Sequence, residues 1–375
     1  MKYETDVMLN PSRIEFARNR RRWTKTRLAK ELGVQVRSIQ GYESGEYAPE
    51  AERLERIAQL LRFPAEFFFG DDLPIIADHT ASFRSMSKMS ESLKLSALGT
   101  GTMAFLLDDW IEKQFKLPVA DLPDLSDLSP EDAAATLRRI WGLGEAPISN
   151  MTHLLESMGI RVYSLTIDAR EVDAFSVWHD NRPFVLLNTF KSAEHSRFDA
   201  AHELAHLVRD RHSMLHGRAH SPEMEREAQA FASAFLMPRA SVIAHKPNFP
   251  TLPQLIKLKH VWGVSLAALA FRMNQLSLFT EWTYRNLCIQ IAKHGYRTKE
   301  PEPMAHETSL TLAKVFKVLR AEGINRSDIA RDLCVSPDEL DNLTFCLSIS
   351  GVSSTRDVAG PVPAISARPV LQLVK

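Results

Sequence analysis

The sequence predicts a mainly α-helical protein of the α+β class, built from more than one domain. Apolar residues recur at helical spacing near the N-terminus, as in Leu54, Ile57, Leu60 and Leu61, and helical patterns dominate from residue 194 to about 295. The stretch 159–167, rich in β-branched residues, and the stretch 174–188, with turn residues at its centre, predict a small sheet before those helices. A length of 375 residues makes two or three domains the expectation.

The composition is that of a globular protein, with 45% hydrophobic and 25% charged residues. Three scattered cysteines are too few for a disulfide framework or a cysteine zinc cluster. The segment MKYETDVMLN lacks the apolar core of a signal peptide, and no apolar run approaches the length of a membrane span. We therefore expect a cytoplasmic protein without a membrane partner.

The first domain is expected at residues 1–75. Leu28, Ala29 and Leu32 follow helical spacing, Gly33 interrupts it, and an apolar pattern resumes until Gly45. The turn residues of FFFGDDLP, at 67–74, end this bundle of short helices. A helical connector and an acidic linker are expected at 76–130.

Positive charge is concentrated in this first domain, although the chain as a whole carries 46 basic and 46 acidic residues. Residues 11–40 hold nine basic and two acidic side chains, which indicates a polyanion partner such as double-stranded DNA. The alternative is a solvated basic face on a protein-binding hairpin.

Two further units follow the linker. The segment 131–300 should hold the small sheet, with a hairpin turn at Asp180-Asn181-Arg182-Pro183, and the large set of helices. Residues 301–350 predict a small helical hairpin, because 326–340 echoes the helical pattern of 26–40. The alternative, a second DNA-reading unit, is disfavoured by the local acidity of this segment. The proline-containing segment 351–375 predicts a flexible tail.

The stretch FDAAHELAHLVRDRH, at 198–212, contains two histidines with a spacing suited to a metal ion. His202 and His206 are one helical turn apart on the same face, about 6 Å along the axis, so both imidazoles can reach one ion. Glu203 lies beside them in the HExxH arrangement, where the glutamate is the general base. An otherwise apolar helix would bury these histidines, and a buried pair needs a partner.

A catalytic zinc site needs a third protein ligand, and two candidates compete. His212 has the spacing of the longer HExxHxxGxxH motif, but Arg209 stands where that motif has a glycine. Glu227 is the preferred candidate, because it lies at the rim of the apolar face of the helix predicted in PEMEREAQAFASAFLMP, at 222–238. Glu225 is expected to point further towards solvent.

Taken together, FRS at 83–85, the small sheet, AHELAH and EREAQAFASAFLMP resemble the ImmA/IrrE family of zinc metallo-endopeptidases over about residues 80–300. The resemblance implies a zincin-like domain with one Zn²⁺ per chain, bound by His202, His206 and Glu227, with Glu203 catalytic. Ala205 stands where the family motif often has glycine.

The N-terminal segment resembles the XRE, or lambda-repressor-like, helix-turn-helix, with Gln35–Ser44 as recognition helix. Because recognition helices contact bases near their N-terminus, the resemblance implies base contacts by Gln35, Val36, Arg37, Ser38 and Gln40. The implied phosphate contacts are Arg20, Arg21, Arg22 and Lys25.

Two functions are compatible with these patterns. The preferred hypothesis is a DNA-binding regulator whose endopeptidase domain cleaves a regulatory protein, such as an XRE-type repressor, to control phage, plasmid or stress genes. The alternative is a transcriptional regulator without proteolysis, whose zincin-like domain is a sensor or oligomerisation module. A homodimer is compatible with both.

Overall fold

The computed structural model describes residues 8–77, 89–166, 172–210, 221–348 and 372–373. It confirms a mainly helical fold with a small three-stranded sheet. Within these ranges, no helix combines the length and apolar character that crossing a membrane requires. The FRS segment at 83–85 and His212, the alternative third metal ligand, lie outside the described residues.

The N-terminal bundle contains four α-helices followed by a 3₁₀ helix. Asn10 and Thr24 accept hydrogen bonds from backbone N–H groups of the first turns of the helices that they precede, and Gly33 closes the second helix in the left-handed conformation (φ +66°). The side chains of Ile14, Leu28 and Ile39 are fully buried in its core. The helices are α1 (Pro11–Arg20), α2 (Lys25–Leu32), α3 (Val36–Ser44) and α4 (Ala51–Leu61), and the 3₁₀ helix is Ala65–Phe69.

A long helix, α5 (Glu91–Glu112), connects this bundle to the rest of the chain. Most of its side chains are buried, and it packs against α1. Strand β1 (Phe115–Lys116) follows and pairs antiparallel with β5 (Gln372–Leu373). The remainder of the expected flexible tail lies outside the described residues.

The sheet has the strand order β2–β4–β3, so β3 is an edge strand. Its strands are β2 (Arg161–Ser164), β3 (Ala174–His179) and β4 (Arg182–Leu187). Strands β2 and β4 are parallel, whereas β3 and β4 form an antiparallel hairpin. Its turn residues Asp180 and Asn181 have φ of 47° and 61°, which confirms the predicted hairpin turn.

Eight further helices lie in the described residues between 130 and 293. They are α6 (Pro130–Ile140), α7 (Met151–Ser157), α8 (Ala193–Arg209), α9 (Pro222–Leu236), α10 (Arg239–Ala244), α11 (Leu252–Trp262), α12 (Leu266–Gln275) and α13 (Glu281–Lys293). Helix α8 packs against β3, β4 and α9. The expected acidic linker packs on this body, because Leu122 and Leu125 are buried and the Leu125 N–H donates to the Val208 carbonyl at 2.7 Å.

The C-terminal segment folds as α14 (Leu310–Ala321), α15 (Arg326–Asp332) and α16 (Pro337–Thr344). Cys334, with φ of 53°, turns the chain between α15 and α16 much as Gly33 does between α2 and α3. Helix α16 packs against α5 and β2 rather than presenting a free face. The Glu156 carboxylate accepts the Leu310 and Thr311 N–H groups at 2.9 and 3.0 Å, which attaches the segment to the central body.

A candidate metal centre and a candidate nucleic-acid interface

Helix α8 holds the HExxH residues in the interior of the protein. Ser192 caps its first turn by accepting the His195 N–H, and almost every side chain from 197 to 209 is buried. His202 and Glu203 are 2% exposed, and His206 is fully buried. The alanines of FDAAHELAH leave room for this close packing.

The two histidines and a glutamate from α9 converge on one point. His202 Nε2 and His206 Nε2 are 3.2 Å apart. Glu225 Oε2 lies 3.3 Å from His202 Nε2, and Glu225 Oε1 lies 3.5 Å from His206 Nε2. Among the described residues, these three form the only cluster of histidine, cysteine or acidic side chains close enough to hold a metal ion together.

This donor set fits zinc. Two imidazole nitrogens and one carboxylate oxygen are ligand types of catalytic zinc sites, which keep a fourth position open. Ligand distances of about 2.0–2.2 Å in a tetrahedron separate neighbouring ligand atoms by about 3.3–3.6 Å. The three separations at His202, His206 and Glu225 lie close to that range.

The third residue of the cluster is Glu225, which corrects the expectation of Glu227. Residues two apart on a helix point in directions about 200° apart, so only one of these glutamates can face α8. Glu225 does so, whereas the Glu227 side chain is 41% exposed and pairs with Arg209 at 2.9 Å. Periodicity located the apolar face of α9 but not the part of it that α8 covers.

Asp210 holds the second histidine in place, a role that the sequence analysis missed. Its Oδ2 lies 2.7 Å from His206 Nδ1, which directs the opposite ring nitrogen, Nε2, towards Glu225. Burial disfavours the charged imidazole, but the hydrogen bond to Asp210 and the charges of Glu203, Asp210 and Glu225 outweigh it and raise the pKa of His206. The spacing of four residues between His206 and Asp210 was the available sequence signal.

Glu203 is held by the edge strand of the sheet. The Ser176 hydroxyl of β3 donates to Glu203 Oε2 at 2.7 Å, and Ser176 is fully buried. A carboxylate held beside a histidine cluster can accept and return protons. Nothing in the pattern AFSVWH distinguishes this serine, because only the pairing of β3 with α8 brings it to Glu203.

The N-terminal bundle presents the start of α3 to solvent. Gln35, Val36, Arg37 and Gln40 are exposed, and Ser38 is half-buried. A buried ion pair between Arg18 Nε and Glu43 Oε1, at 2.5 Å, fixes α3 against α1. This face therefore offers hydrogen-bonding groups on a rigidly held helix.

The basic residues expected to contact phosphates divide into two groups. Arg22 is exposed. The Lys25 side chain is partly exposed, and its Nζ lies 3.1 Å from Glu43 Oε2. Arg20 and Arg21, by contrast, face the protein and bind Glu339 of α16 at 2.9 and 2.6 Å. The expectation that these two contact phosphates is corrected, since their guanidinium groups already pair with a buried carboxylate.

Two segments of the chain match known families. Residues 14–68 match the family described as "Helix-turn-helix", and residues 155–274 match the peptidase M78 family, described as "IrrE N-terminal-like domain". The chain combines a helix-turn-helix domain with an IrrE-like domain. The helix-turn-helix domain contains α2 and α3, and the IrrE-like domain contains the sheet, α8 and α9.

Two curated relatives share the N-terminal part of the chain. Uncharacterized HTH-type transcriptional regulators of Sinorhizobium medicae and Rhizobium meliloti are each 38% identical over 60 residues, or 16% of this chain. The match covers 43% of the length of each relative. The chain thus carries a helix-turn-helix domain of the DNA-binding kind at its N-terminus, joined to a domain with a metallopeptidase-like fold.

Proposed function

We propose that the chain is a DNA-binding regulator whose IrrE-like domain is a zinc-dependent endopeptidase, cleaving a regulatory protein such as a helix-turn-helix repressor. The observation that supports this most directly is the convergence of His202, His206 and Glu225 beside the buried carboxylate of Glu203. One zinc ion per chain would be held by these three side chains. The proposal adopts Glu225 in place of Glu227.

Each side chain of the centre has a defined task in peptide hydrolysis. Zinc, when bound, polarises a substrate carbonyl and makes water more acidic. Glu203 accepts the proton from the attacking water and delivers it to the leaving amine, as a general base and then a general acid. Ser176 keeps the carboxylate of Glu203 in place, and Asp210 keeps the His206 ring oriented.

The helix-turn-helix domain directs the protein to DNA in this proposal. Base readout is assigned to Gln35, Val36, Arg37, Ser38 and Gln40 at the start of α3. Phosphate contacts are assigned to Arg22 and Lys25, which remain at the surface. A repressor bound near the same operator would then meet the peptidase at high local concentration.

The decisive experiment uses helix-turn-helix repressors from the same genome, beginning with any that is encoded beside the gene for this chain. The zinc-loaded protein is incubated with each repressor, with and without a chelator, and fragments are identified by mass spectrometry. We expect one discrete cleavage that requires metal and disappears in Glu203→Gln. Repressors that all stay intact while the parent protein still binds zinc and DNA would favour the non-proteolytic alternative, in which the IrrE-like domain is a sensor.

A further inference from the structure

A cavity of about 550 Å³ lies in the C-terminal segment, between α14 and α15. Side chains of both helices form its walls, together with Leu347 and Ser348, which follow α16. The volume lies within the range of about 300–1,000 Å³ that small-molecule sites have. None of the described residues that line it belongs to the candidate metal centre, so the cavity is a separate candidate site.

Positive charge lines this cavity. Lys317 and Arg320 of α14 and Arg326 of α15 border it, and none of the described lining residues is acidic. Lys317 and Arg320 are three positions apart, which places them on one face of α14. Within the described ranges, neither of these two side chains has an ion-pair partner, whereas Arg326 pairs with Asp341. Two positive charges at the cavity are therefore not compensated by an acidic side chain.

Another part of the wall is apolar. Ile329 and Leu347 are 1% and 2% exposed, and Phe316 is partly buried. The Arg326 guanidinium lies over the Phe316 ring, 5.3 Å from its centre, and this cation–π contact helps to hold the aromatic wall in place. A ligand that fits the cavity has an apolar part that packs against these side chains and an anionic part that reaches the two cations of α14.

The cations of α14 indicate which anion fits. A phosphate monoester carries a charge of about −1.5 to −2 at neutral pH, and its oxygens accept several strong hydrogen bonds. Its charge therefore balances both Lys317 and Arg320, whereas a carboxylate balances only one of them. The planar guanidinium of an arginine also matches two phosphate oxygens with parallel hydrogen bonds.

We propose that this cavity binds a small organic phosphate, a phosphate monoester whose other part is aromatic or otherwise apolar. Lys317 and Arg320 bind the phosphate, and Phe316, Ile329 and Leu347 contact the apolar part. Binding here requires neither zinc nor DNA, so the site is independent of the function proposed above.

The cavity lies where the C-terminal segment is attached to its neighbours. Ser309, on its wall, donates a hydrogen bond to the Glu156 carboxylate of α7. Arg326 pairs with Asp341 of α16, the helix whose Glu339 binds the end of α1. A bound organic phosphate therefore lies next to residues that contact both the central helices and the helix-turn-helix domain.

Isothermal titration calorimetry on the full-length, zinc-loaded protein tests the site with phenyl phosphate, which contains both recognised parts and little else. Benzoate carries the same ring with a single charge, and inorganic phosphate carries the charge without the ring. At about pH 7.5, we expect phenyl phosphate to bind at least about tenfold more tightly than either, because each comparison removes one of the two kinds of contact.

Two matched double variants locate the binding. Lys317→Gln with Arg320→Gln removes the two cations of the cavity, and the affinity for phenyl phosphate should fall by about tenfold or more. Lys257→Gln with Lys293→Gln removes the same charge from side chains that do not line the cavity and should leave the affinity unchanged. All four side chains are exposed, so folding should survive in both variants, which circular dichroism checks.

Four results would contradict this site. Absence of binding by phenyl phosphate up to about 10 mM overturns it outright. Equal binding of benzoate overturns the assignment to a phosphate, and equal binding of inorganic phosphate overturns the apolar part. An affinity that is the same in the cavity variant as in the parent means that phenyl phosphate binds elsewhere, for example at the metal centre, and overturns the cavity as its site.

Discussion

Arg21 and Glu339 are 318 positions apart in the sequence, yet Arg21 Nη1 lies 2.6 Å from Glu339 Oε1. Arg20 binds the second oxygen of the same carboxylate, which is fully buried. The end of α1 is thereby joined to the C-terminal segment. The basic residues of the helix-turn-helix domain thus serve two purposes: some hold the domain to the protein, and others remain exposed.

Breaking this contact should destabilise the protein. Glu339→Gln removes the negative charge and leaves the buried guanidinium group of Arg20 and the half-buried one of Arg21 without a counter-ion, a change that costs about 3 kcal/mol in the free energy of unfolding. The matched control is Asp338→Asn on the same helix, which is exposed and should change stability by less than about 0.5 kcal/mol. Urea denaturation at pH 7 measures both.

The same pair should make stability depend on pH in a defined direction. Burial raises the pKa of Glu339, but the charges and hydrogen bonds of Arg20 and Arg21 outweigh it and hold the pKa below its usual value of 4.5. Because the pKa is lowered in the folded state, the stabilisation by the ionised Glu339 carboxylate is complete above pH 4.5 and is lost as the pH falls further. The difference in stability between wild type and Glu339→Gln should therefore shrink below pH 4.5. A difference that grows on acidification would contradict this assignment.

The third metal ligand can be decided by two amide substitutions on α9. Glu225→Gln should lose most of the bound zinc, since two histidines rarely hold the ion tightly. Glu227→Gln should retain about one zinc per chain and lose only the ion pair between this exposed carboxylate and the buried Arg209. Metal content by mass spectrometry after dialysis gives the answer, and the reverse pattern would restore Glu227 as ligand.

Asp210 should support metal binding without contacting the ion. Asp210→Asn keeps the size of the side chain but weakens the hydrogen bond that orients His206, and such changes lower metal affinity by about 10–100-fold. Competition with a chelator of known affinity measures this loss. Unchanged affinity would mean that packing alone fixes the His206 ring.

The sequence was sufficient for the helical fold, the hairpin turn and the two histidines, because each depends on local spacing. It was not sufficient for Glu225 and Ser176, because their roles depend on which face of α9 meets α8 and on the pairing of β3 with α8. Arg20 and Arg21 show the same limit: a basic run indicates a polyanion partner, but Glu339 lies more than 300 residues away. Contacts between residues far apart in the sequence determine the roles of these side chains, and the periodicity of a single segment carries no information about such contacts.

The DNA contacts should separate into specific and nonspecific ones. Arg37→Ala should relax base preference at one position, at a cost of about 1–3 kcal/mol for the preferred sequence. Arg22→Ala should weaken binding to all sequences alike and reduce the salt dependence. Arg21→Ala should leave the salt dependence unchanged and lower stability instead, because its partner is Glu339. Binding titrations on specific and random duplexes at several salt concentrations test all three.

The substitution that distinguishes an enzyme from a zinc-containing scaffold is Glu203→Gln. Glutamine keeps the size of the side chain and can still bond to Ser176, but it cannot accept a proton at neutral pH. Zinc content, folding and DNA affinity should survive, because Glu203 is outside the cluster formed by His202, His206 and Glu225.

Turnover of a cleaved repressor should fall by about 10²–10⁴-fold in Glu203→Gln, the usual contribution of general acid–base catalysis. In cells, a reporter gene controlled by that repressor should stay silent with this variant, as it should with the metal-free His206→Ala variant. A regulator that acts without proteolysis gives a different pattern, in which Glu203→Gln behaves as the parent and only His206→Ala changes expression. That result would show that the metal centre supports structure or sensing, and that Glu203 contributes no proton transfer.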